Sequence, residues 1–313
     1  MRICSLLPSA TEIVGHLGLT GSLVGVSEEC DWPPDARALP VITASRVDPT
    51  SLTSAEIDGE VRAAVADGSS LYALDERLLD ELAPDVILTQ DLCTVCAVSG
   101  DDVATLCPVG GEVISLNPTT LEEIAKSVET LGERLGVPRR GTQVAAEMRE
   151  TIEEVRAQVA GRQRRRIFVA EWVDPPFAAG HWLPEMVAAA GGEDVLGRPG
   201  EPAFPVTWDQ VGDAHSELVV VAACGFDARR GAEEAHGAEL PAPAVAVDAN
   251  AYYSRPAPRV ADGVRQLGFL LHPEVCADPG LPSAQVMSRL RVRSVPAAPS
   301  SAIQPSETAT AGQ

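Results

Sequence analysis

The sequence has little lysine, few aromatic residues and no long apolar run. Among its 313 residues, 24 are Lys or Arg and 45 are Asp or Glu, which gives a formal net charge of -21. Lys126 is the single lysine. Because nucleic acids select basic surfaces, we expect no nucleic-acid partner. With no run of 18 apolar residues, the sequence predicts no direct membrane insertion.

The N-terminus lacks the pattern of a secretory signal peptide. Its apolar run extends only from Ile3 to Leu7, and Pro8 and a polar turn follow. A signal peptide needs a longer apolar region and a small-residue cleavage site. The seven cysteines are odd in number and lack the dense spacing of a secreted disulfide scaffold. The sequence therefore predicts a cytoplasmic protein with reduced thiols.

Alternating strand and helix patterns predict an α/β fold. Strand patterns occur in two groups, and the residues between the groups carry only helical patterns. We predict two doubly wound α/β lobes, residues 1–118 and 164–292, with a ligand cleft between them. A long, rigid helical connector over 119–163 joins the lobes, and a disordered tail occupies 293–313.

The start of the first helix is predicted from a capping box. In "SATE", Ser9 and Glu12 have the spacing at which each side chain caps the backbone N–H of the other. We expect this helix to begin at Ser9 and to end at Gly18, where a glycine can close it.

The aromatic residues gather in loops after predicted strands. The chain has only four Trp, three Tyr and five Phe. Rigid aromatics at the carboxyl ends of parallel strands suit a pocket for a large, flat, partly apolar ligand. Any single one could instead pack back onto its own loop. The candidate ligand contacts are Trp32, Trp172, Phe177, His181, Trp182, Phe204, Trp208, Tyr252 and Tyr253.

The sequence lacks the motifs of the common enzyme classes. It has no Gly-rich phosphate loop and no GxSxG turn, and its five histidines form no HxxxH pair. We therefore expect a protein that is not an enzyme and that carries no catalytic cofactor.

The pair Cys93 and Cys96 in "CTVC" follows a predicted strand and faces the same cleft. The leading interpretation is a pair of neutral thiols in the pocket wall, and a variant is a thiolate that contacts the metal of a ligand. A redox pair is weaker, because the next helix starts too far downstream. A zinc site would need Cys30 and His181 as further ligands, and therefore closed lobes.

Four stretches of the chain form a recognisable set. They are "RICSLLPSATEIVGHLGLTGSLVGVSEECDWP", "PDVILTQDLCTVCAVS", "VDPPFAAGHWLPEMVAAAGGEDVLG" and "DANAYYSRPAPRVADGVRQLGFLLHPE". Together they resemble the periplasmic-binding-protein family that captures cobalamin and iron chelates, most closely its cobalamin-binding branch. The resemblance implies two α/β lobes joined by a long helix, with the ligand between the lobes.

The resemblance also implies specific contacts. Cobalamin would be sandwiched by aromatic side chains from both lobes, with Phe177, Phe204, Tyr252 and Trp32 at matching positions. An acidic residue on top of each lobe would dock onto an ABC permease. Glu76 and Asp209 match those positions, and the alternative for each is an ordinary solvated helix acid.

We expect a protein that binds a corrinoid, with cobalamin as the leading candidate. It would serve as the substrate-binding component of an ABC-type importer. One alternative is a cytoplasmic corrinoid-handling enzyme or chaperone that uses Cys93 and Cys96. The other is a haem or ferric-chelate binder. Against that one, the pocket loops offer only Arg46 and Arg255 to anionic groups.

Overall fold

The computed structural model describes residues 1–49, 51–67, 69–90, 111–287 and 289–290. Cys93, Cys96 and the predicted tail over 293–313 lie outside these residues. Within them, no helix is both long enough and apolar enough to cross a membrane.

The elements alternate as the sequence predicts. The strands are β1 (Ile3–Ser5), β2 (Leu23–Ser27), β3 (Val41–Ser45), β4 (Tyr72–Leu74), β5 (Val86–Thr89), β6 (Glu112–Ser115), β7 (Arg165–Val173), β8 (Pro176–Ala178), β9 (Gly192–Asp194), β10 (Phe204–Pro205), β11 (Leu218–Val221), β12 (Glu239–Leu240), β13 (Ala244–Val247), β14 (Ser283–Gln285) and β15 (Arg289–Leu290). The helices are α1 (Pro8–His16), α2 (Ser54–Asp67), α3 (Glu76–Leu82), α4 (Leu121–Arg134), α5 (Pro138–Gln158), α6 (Leu183–Ala189), α7 (Trp208–Asp213), α8 (Ala228–Glu234), α9 (Ala249–Tyr252) and α10 (Val260–Leu271).

Two mixed sheets form the two lobes. The N-terminal sheet has the order β4-β3-β2-β1-β5-β6, and all its neighbours are parallel except β3 and β4. The C-terminal sheet has the order β10-β8-β7-β11-β13-β14, with β9 also beside β7. Its inner pairs β7–β11 and β11–β13 are parallel, whereas β8, β10 and β14 add antiparallel edges. The predicted α/β fold of two lobes with a helical connector is confirmed.

The connector consists of α4 and α5. Gly136 adopts a left-handed conformation (φ +80°) between them, and Pro138 opens α5. The helices approach closely where Gly132 faces Gly141, because a Cβ on either glycine would meet the backbone of the other helix. Their apolar faces belong to one buried cluster that includes side chains of both lobes, such as Ile13 and Val264. This shared core makes the connector rigid.

The capping box predicted at Ser9 is wrong. Helix α1 begins at Pro8, and its N-cap, Leu7, makes no side-chain capping bond. Pro8 suits the first helical turn because its fixed φ matches a helix and it needs no N–H partner there. Glu12 is completely buried and pairs with Arg259 instead.

Candidate functional site

A cleft of about 540 Å³ lies between the two lobes. On the N-terminal side, loops after β1, β2, β3 and β5 line it, together with α2. On the C-terminal side, residues at the carboxyl ends of β7, β11 and β13 line it. This is where open α/β sheets place their ligands, because the loops from parallel strands converge there.

Five of the predicted contacts line this interlobe cleft: Trp172, Phe177, His181, Trp182 and Tyr253. Two of them are fixed from behind. The indole N–H of Trp182 donates to the Tyr253 carbonyl at 2.8 Å, and the Tyr253 hydroxyl donates to Gln266 Oε1 at 2.8 Å. Because these side chains are held in place, the aromatic wall is formed before a ligand arrives.

The other four predicted aromatics are not among the described residues that line the cleft. The ring of Trp32 stacks on His16, and the guanidinium of Arg259 lies near both Trp32 and Tyr252. Trp208 packs edge to face on Phe168. The remaining residue, Phe204, lies in β10 under the guanidinium of Arg198, 3.9 Å from the ring centroid. Each of these four rings has a contact within the protein, and their role as ligand contacts stays a prediction.

The charged lining of the cleft is mainly acidic. Glu29, Asp58 and Glu171 line it together with one arginine, Arg255. Burial, with help from neighbouring carboxylates, raises the pKa of Glu29. The Glu171 carboxylate accepts the backbone N–H of Gly180 at 2.7 Å. An acidic, partly desolvated lining disfavours an anionic ligand.

Arg255 is already occupied by protein partners. It forms an ion pair with Asp31, donates to the Glu29 carbonyl at 3.1 Å and donates to Asn250 Oδ1 at 2.9 Å. Asp31 and Glu29 belong to the N-terminal lobe, so this buried arginine joins the lobes at the cleft.

A segment of the N-terminal lobe, helix α2 with its preceding turn, docks onto the C-terminal lobe. The indole N–H of Trp172 donates to the Ser54 carbonyl at 3.0 Å, and Arg230 donates to the Leu52 carbonyl at 2.5 Å. Glu234 accepts the Ser54 N–H at 2.9 Å, and Ile57 packs in the core of the C-terminal lobe. These contacts close one side of the cleft.

His181 stands on the cleft wall in a left-handed backbone conformation (φ +47°). Its N–H donates to the Glu201 carbonyl at 2.6 Å, and its own carbonyl accepts the Gly200 N–H at 2.9 Å. Burial lowers the pKa of its imidazole. The ring is therefore neutral at pH 7 and half exposed to the cleft.

The predicted zinc ligands are only partly described. Cys30 lies in a small core cluster of the N-terminal lobe, where its thiol bonds to the hydroxyls of Thr11 and Ser27 at 3.0 and 3.1 Å. Burial is the main cause that raises its pKa, so Cys30 is a poor metal ligand. Over the described ranges, no cluster of three or more metal-binding side chains occurs. Cys93 and Cys96 lie outside those ranges.

Sequence reasoning missed several residues of the cleft. Helix α2 was not predicted, although Thr53 and Glu56 form a reciprocal cap that the "TSAE" spacing signals. Phe226 and Cys224 also line the cleft, although neither is among the predicted contacts. Both follow β11, and the strand-end rule that selected Trp172 would have selected them as well.

The two predicted docking acids lie on separate lobes. Glu76 is the first residue of α3 and Asp209 is in the first turn of α7, and both are exposed. Carboxylates are stabilised at helix N-termini by the helix dipole, so local structure alone accounts for these positions.

Two relatives of this chain are vitamin B12-binding proteins. The vitamin B12-binding protein of Vibrio cholerae is 29% identical over 212 residues, a match that covers 67% of this chain and 66% of that protein. The chain thus spans just under two thirds of that relative. The vitamin B12-binding protein of Yersinia pestis is 26% identical over 226 residues, covering 70% and 69% of the two chains.

Solved structures share the two-lobe fold. The periplasmic vitamin B12 binding protein BtuF of Vibrio cholerae superposes with a TM-score of 0.60 at 24% identity, over 85% of this chain and 94% of that one. A periplasmic heme binding protein from Pseudomonas aeruginosa superposes with a TM-score of 0.65 at 16% identity, over 94% and 99%. At such identities the similarity establishes the fold.

The family described as periplasmic binding protein has a sequence model that matches residues 3–239. This finding, with the periplasmic solved relatives, contradicts the predicted cytoplasmic location. The apolar run at Ile3–Leu7 forms β1 and a buried turn. Its apolar character is explained by packing in the core, so it does not indicate the cellular compartment. Since the match covers most of the sequence and reaches strands of both sheets, the chain belongs to the periplasmic binding protein family.

Proposed function

We propose that this protein binds a corrinoid between its two lobes, with cobalamin as the leading candidate. It then delivers the corrinoid to an ABC-type permease. The vitamin B12-binding relatives support this ligand, and the family supports a binding role without catalysis. The expected contacts are the partly exposed side chains of the cleft wall, Trp172, Phe177 and His181, and the buried rings of Trp182 and Tyr253 support that wall.

The acidic lining of the cleft is the observation that favours a corrinoid over an anionic iron chelate. Haem and ferric siderophores bring carboxylates or other anionic groups, whereas the corrin periphery brings mostly neutral amides. Glu29 and Glu171 would repel an anionic chelate, whereas Asp58 is paired with Arg62 and Arg255 is held by Asp31. Residues 91–110 contain three aspartates and no Lys or Arg, so they add no positive charge. A neutral or cationic metal macrocycle fits this cleft best.

The size of the ligand requires the cleft to open. A complete cobalamin with its nucleotide loop is larger than the cleft of about 540 Å³. Because α4, α5 and both lobes share one core, we expect the opening where α2 docks on the C-terminal lobe. We propose lobes 1–118 and 164–292 around a connector over 119–163, with α2 as the part that moves.

The test of the ligand is a calorimetric titration with hydroxocobalamin and, separately, with hemin. We expect tight corrinoid binding, and we expect Trp172→Ala to weaken it about tenfold, or 1.4 kcal/mol, because a buried aromatic contact is lost. Phe269→Ala is the matched control, since Phe269 is a partly buried ring of α10 that is not among the described residues lining the cleft. Tighter binding of hemin than of hydroxocobalamin would contradict the proposal.

Delivery to a permease rests on Glu76 and Asp209, which are exposed on different lobes. We expect the double variant Glu76→Lys/Asp209→Lys to bind corrinoid normally and to lose uptake in a cell with the matching importer. Reversal of two acids at a docking rim weakens association without touching the cleft. Glu81→Lys, at an exposed site in the same helix α3 as Glu76, is the control. Unchanged uptake in the double variant would show that neither acid docks.

A further inference from the structure

The backbone conformation of His181 has no role in ending a helix. The described chain has three non-glycine residues with positive φ: Ala83, His181 and His215. Ala83 and His215 follow the last turns of α3 and α7, where a left-handed residue commonly closes a helix. His181 instead precedes α6. Strained backbone retained outside such a cap is typical of functional positions.

The surrounding loop holds His181 firmly in this conformation. Its N–H and carbonyl bond to Glu201 and Gly200, and the preceding Gly180 is fixed by the Glu171 carboxylate. A Cβ at Gly180 would overlap the backbone of residues 201–203. This tight fit directs the imidazole into the interlobe cleft as one of its lining groups.

The imidazole itself is left available. Within the described part of the chain, its ring stacks on Trp182, with centroids 5.8 Å apart, and its nitrogens have no hydrogen-bond partner. It is neutral at pH 7, and a neutral imidazole is the commonest metal ligand among protein side chains. A half-buried ring of this kind, aimed into a cleft, has donor capacity that the protein does not use.

The geometry points to His181 as an axial ligand to the metal of the bound macrocycle. This inference rests on the proposed corrinoid function and adds a preference among corrinoids. One imidazole nitrogen forms a bond to cobalt, and the water that held the axial position leaves. Cobalt keeps its oxidation state and no proton is transferred. A corrinoid whose upper axial position carries a methyl group has no exchangeable water on that face, so a histidine that approaches this face favours the aquo form.

The experiment compares hydroxocobalamin with methylcobalamin on the purified full-length chain, by visible absorption and calorimetry. The test variant is His181→Asn, because asparagine also tolerates the left-handed region and keeps the loop intact. Cys224→Ser is the control, since Cys224 is an exposed cleft side chain that could also bind cobalt. Circular dichroism and the melting temperature report whether each variant folds.

We expect the wild type to shift the spectrum of hydroxocobalamin and not that of methylcobalamin. His181→Asn abolishes the shift and weakens hydroxocobalamin binding about tenfold more than it weakens methylcobalamin binding. A shift that survives in His181→Asn, or that is lost in Cys224→Ser instead, overturns the inference. Corrinoid binding by the wild type without any shift overturns it too and leaves the proposed function standing. If the wild type binds no corrinoid, both are wrong.

Discussion

Asp194, at the end of β9, is a carboxylate held in an unfavourable place. Its Oδ1 accepts the backbone N–H groups of Leu196 and Gly197 at 3.2 and 2.9 Å. Its Oδ2 is buried, and no partner for it occurs among the described residues. Burial raises the pKa of Asp194 to about 7, although the backbone donors act to lower it. The folded protein therefore holds a proton on Asp194 that the unfolded chain releases near pH 4.

This difference predicts that Asp194 makes stability fall as pH rises. Below the unfolded pKa both states carry the proton, and the contribution of the protonated carboxyl is fully present. Between about pH 4 and pH 7 only the folded state keeps the proton. The free energy of unfolding therefore falls by up to about 1.4 kcal/mol for each pH unit. We expect Asp194→Asn to remove this slope, measured by urea unfolding at pH 5, 6 and 7.

The matched control is Asp278→Asn. Asp278 also bonds a following backbone N–H, that of Gly280 at 2.8 Å, but it is exposed. Its replacement should leave the pH dependence of the unfolding free energy as in the wild type. If Asp194→Asn keeps the wild-type slope as well, the proton on Asp194 is not the cause.

At the scale of elements, α2 is the part of the N-terminal lobe that depends on the other lobe. It buries Ser54 and Ile57 and exposes most of its remaining surface. Trp172 and Glu234 hold its first residue, Ser54, and Arg230 holds the turn before it, all from the C-terminal lobe. An element with a small buried face and a few polar anchors opens before the rest of the fold.

Removing one anchor should therefore loosen α2. In Arg230→Ala the Leu52 carbonyl loses a charged donor, a bond that contributes about 1.5–3 kcal/mol. We expect amide hydrogen exchange in residues 52–61 to rise about tenfold or more, and corrinoid association to become faster. Mass spectrometry of peptides from α2 measures the first effect.

Arg229→Ala provides the comparison. Arg229 neighbours Arg230 on α8, but it is exposed and pairs only with Glu233 one turn away. Equal exchange rates in the two variants would mean that Arg230 does not anchor α2.

For the whole molecule, buried ion pairs join the lobes beside the connector. Arg259 of the C-terminal lobe pairs with Glu12 of α1 at 2.6 Å, and Glu12 is completely buried. Burial raises the pKa of Glu12, and the hydrogen bonds and charge of Arg259 oppose that rise. The pair thus keeps a carboxylate in a place where water cannot solvate it.

Removing only Arg259 should lower the free energy of unfolding strongly, whereas replacing both residues of the pair should lower it little. We expect Arg259→Met to reduce the free energy of unfolding by about 3–5 kcal/mol, because Glu12 is left buried without its cation. The double variant Glu12→Gln/Arg259→Met should recover most of the loss. Chemical denaturation of the wild type, Arg259→Met and the double variant at pH 7 measures these free energies of unfolding.

An exposed ion pair serves as the reference. Arg265 pairs with Glu154 at 3.3 Å, and both side chains are largely in solvent. Arg265→Met should change stability by less than about 1 kcal/mol. A similar small change in Arg259→Met would show that Glu12 is solvated or protonated at no cost.

Periodicity and strand-end position in the sequence determined the α/β class, the two lobes and the edge of the sheets where the interlobe cleft lies. Buried runs such as Val219–Val221 can satisfy their backbone groups only inside a sheet covered on both faces. Trp172 and Phe177 follow from the same rule, because residues after parallel strands meet at one edge.

Only the tertiary structure decided which side chains face the cleft. Tyr252 and Tyr253 are adjacent in sequence, yet Tyr253 lines the cleft and Tyr252 lies beside Arg259. Glu12, predicted as a local cap, pairs with an arginine 247 positions away. Local pattern records which residues are apolar or charged. The partner that satisfies each buried charge or ring is brought in by the packing of distant segments, and this pairing is set by the fold as a whole.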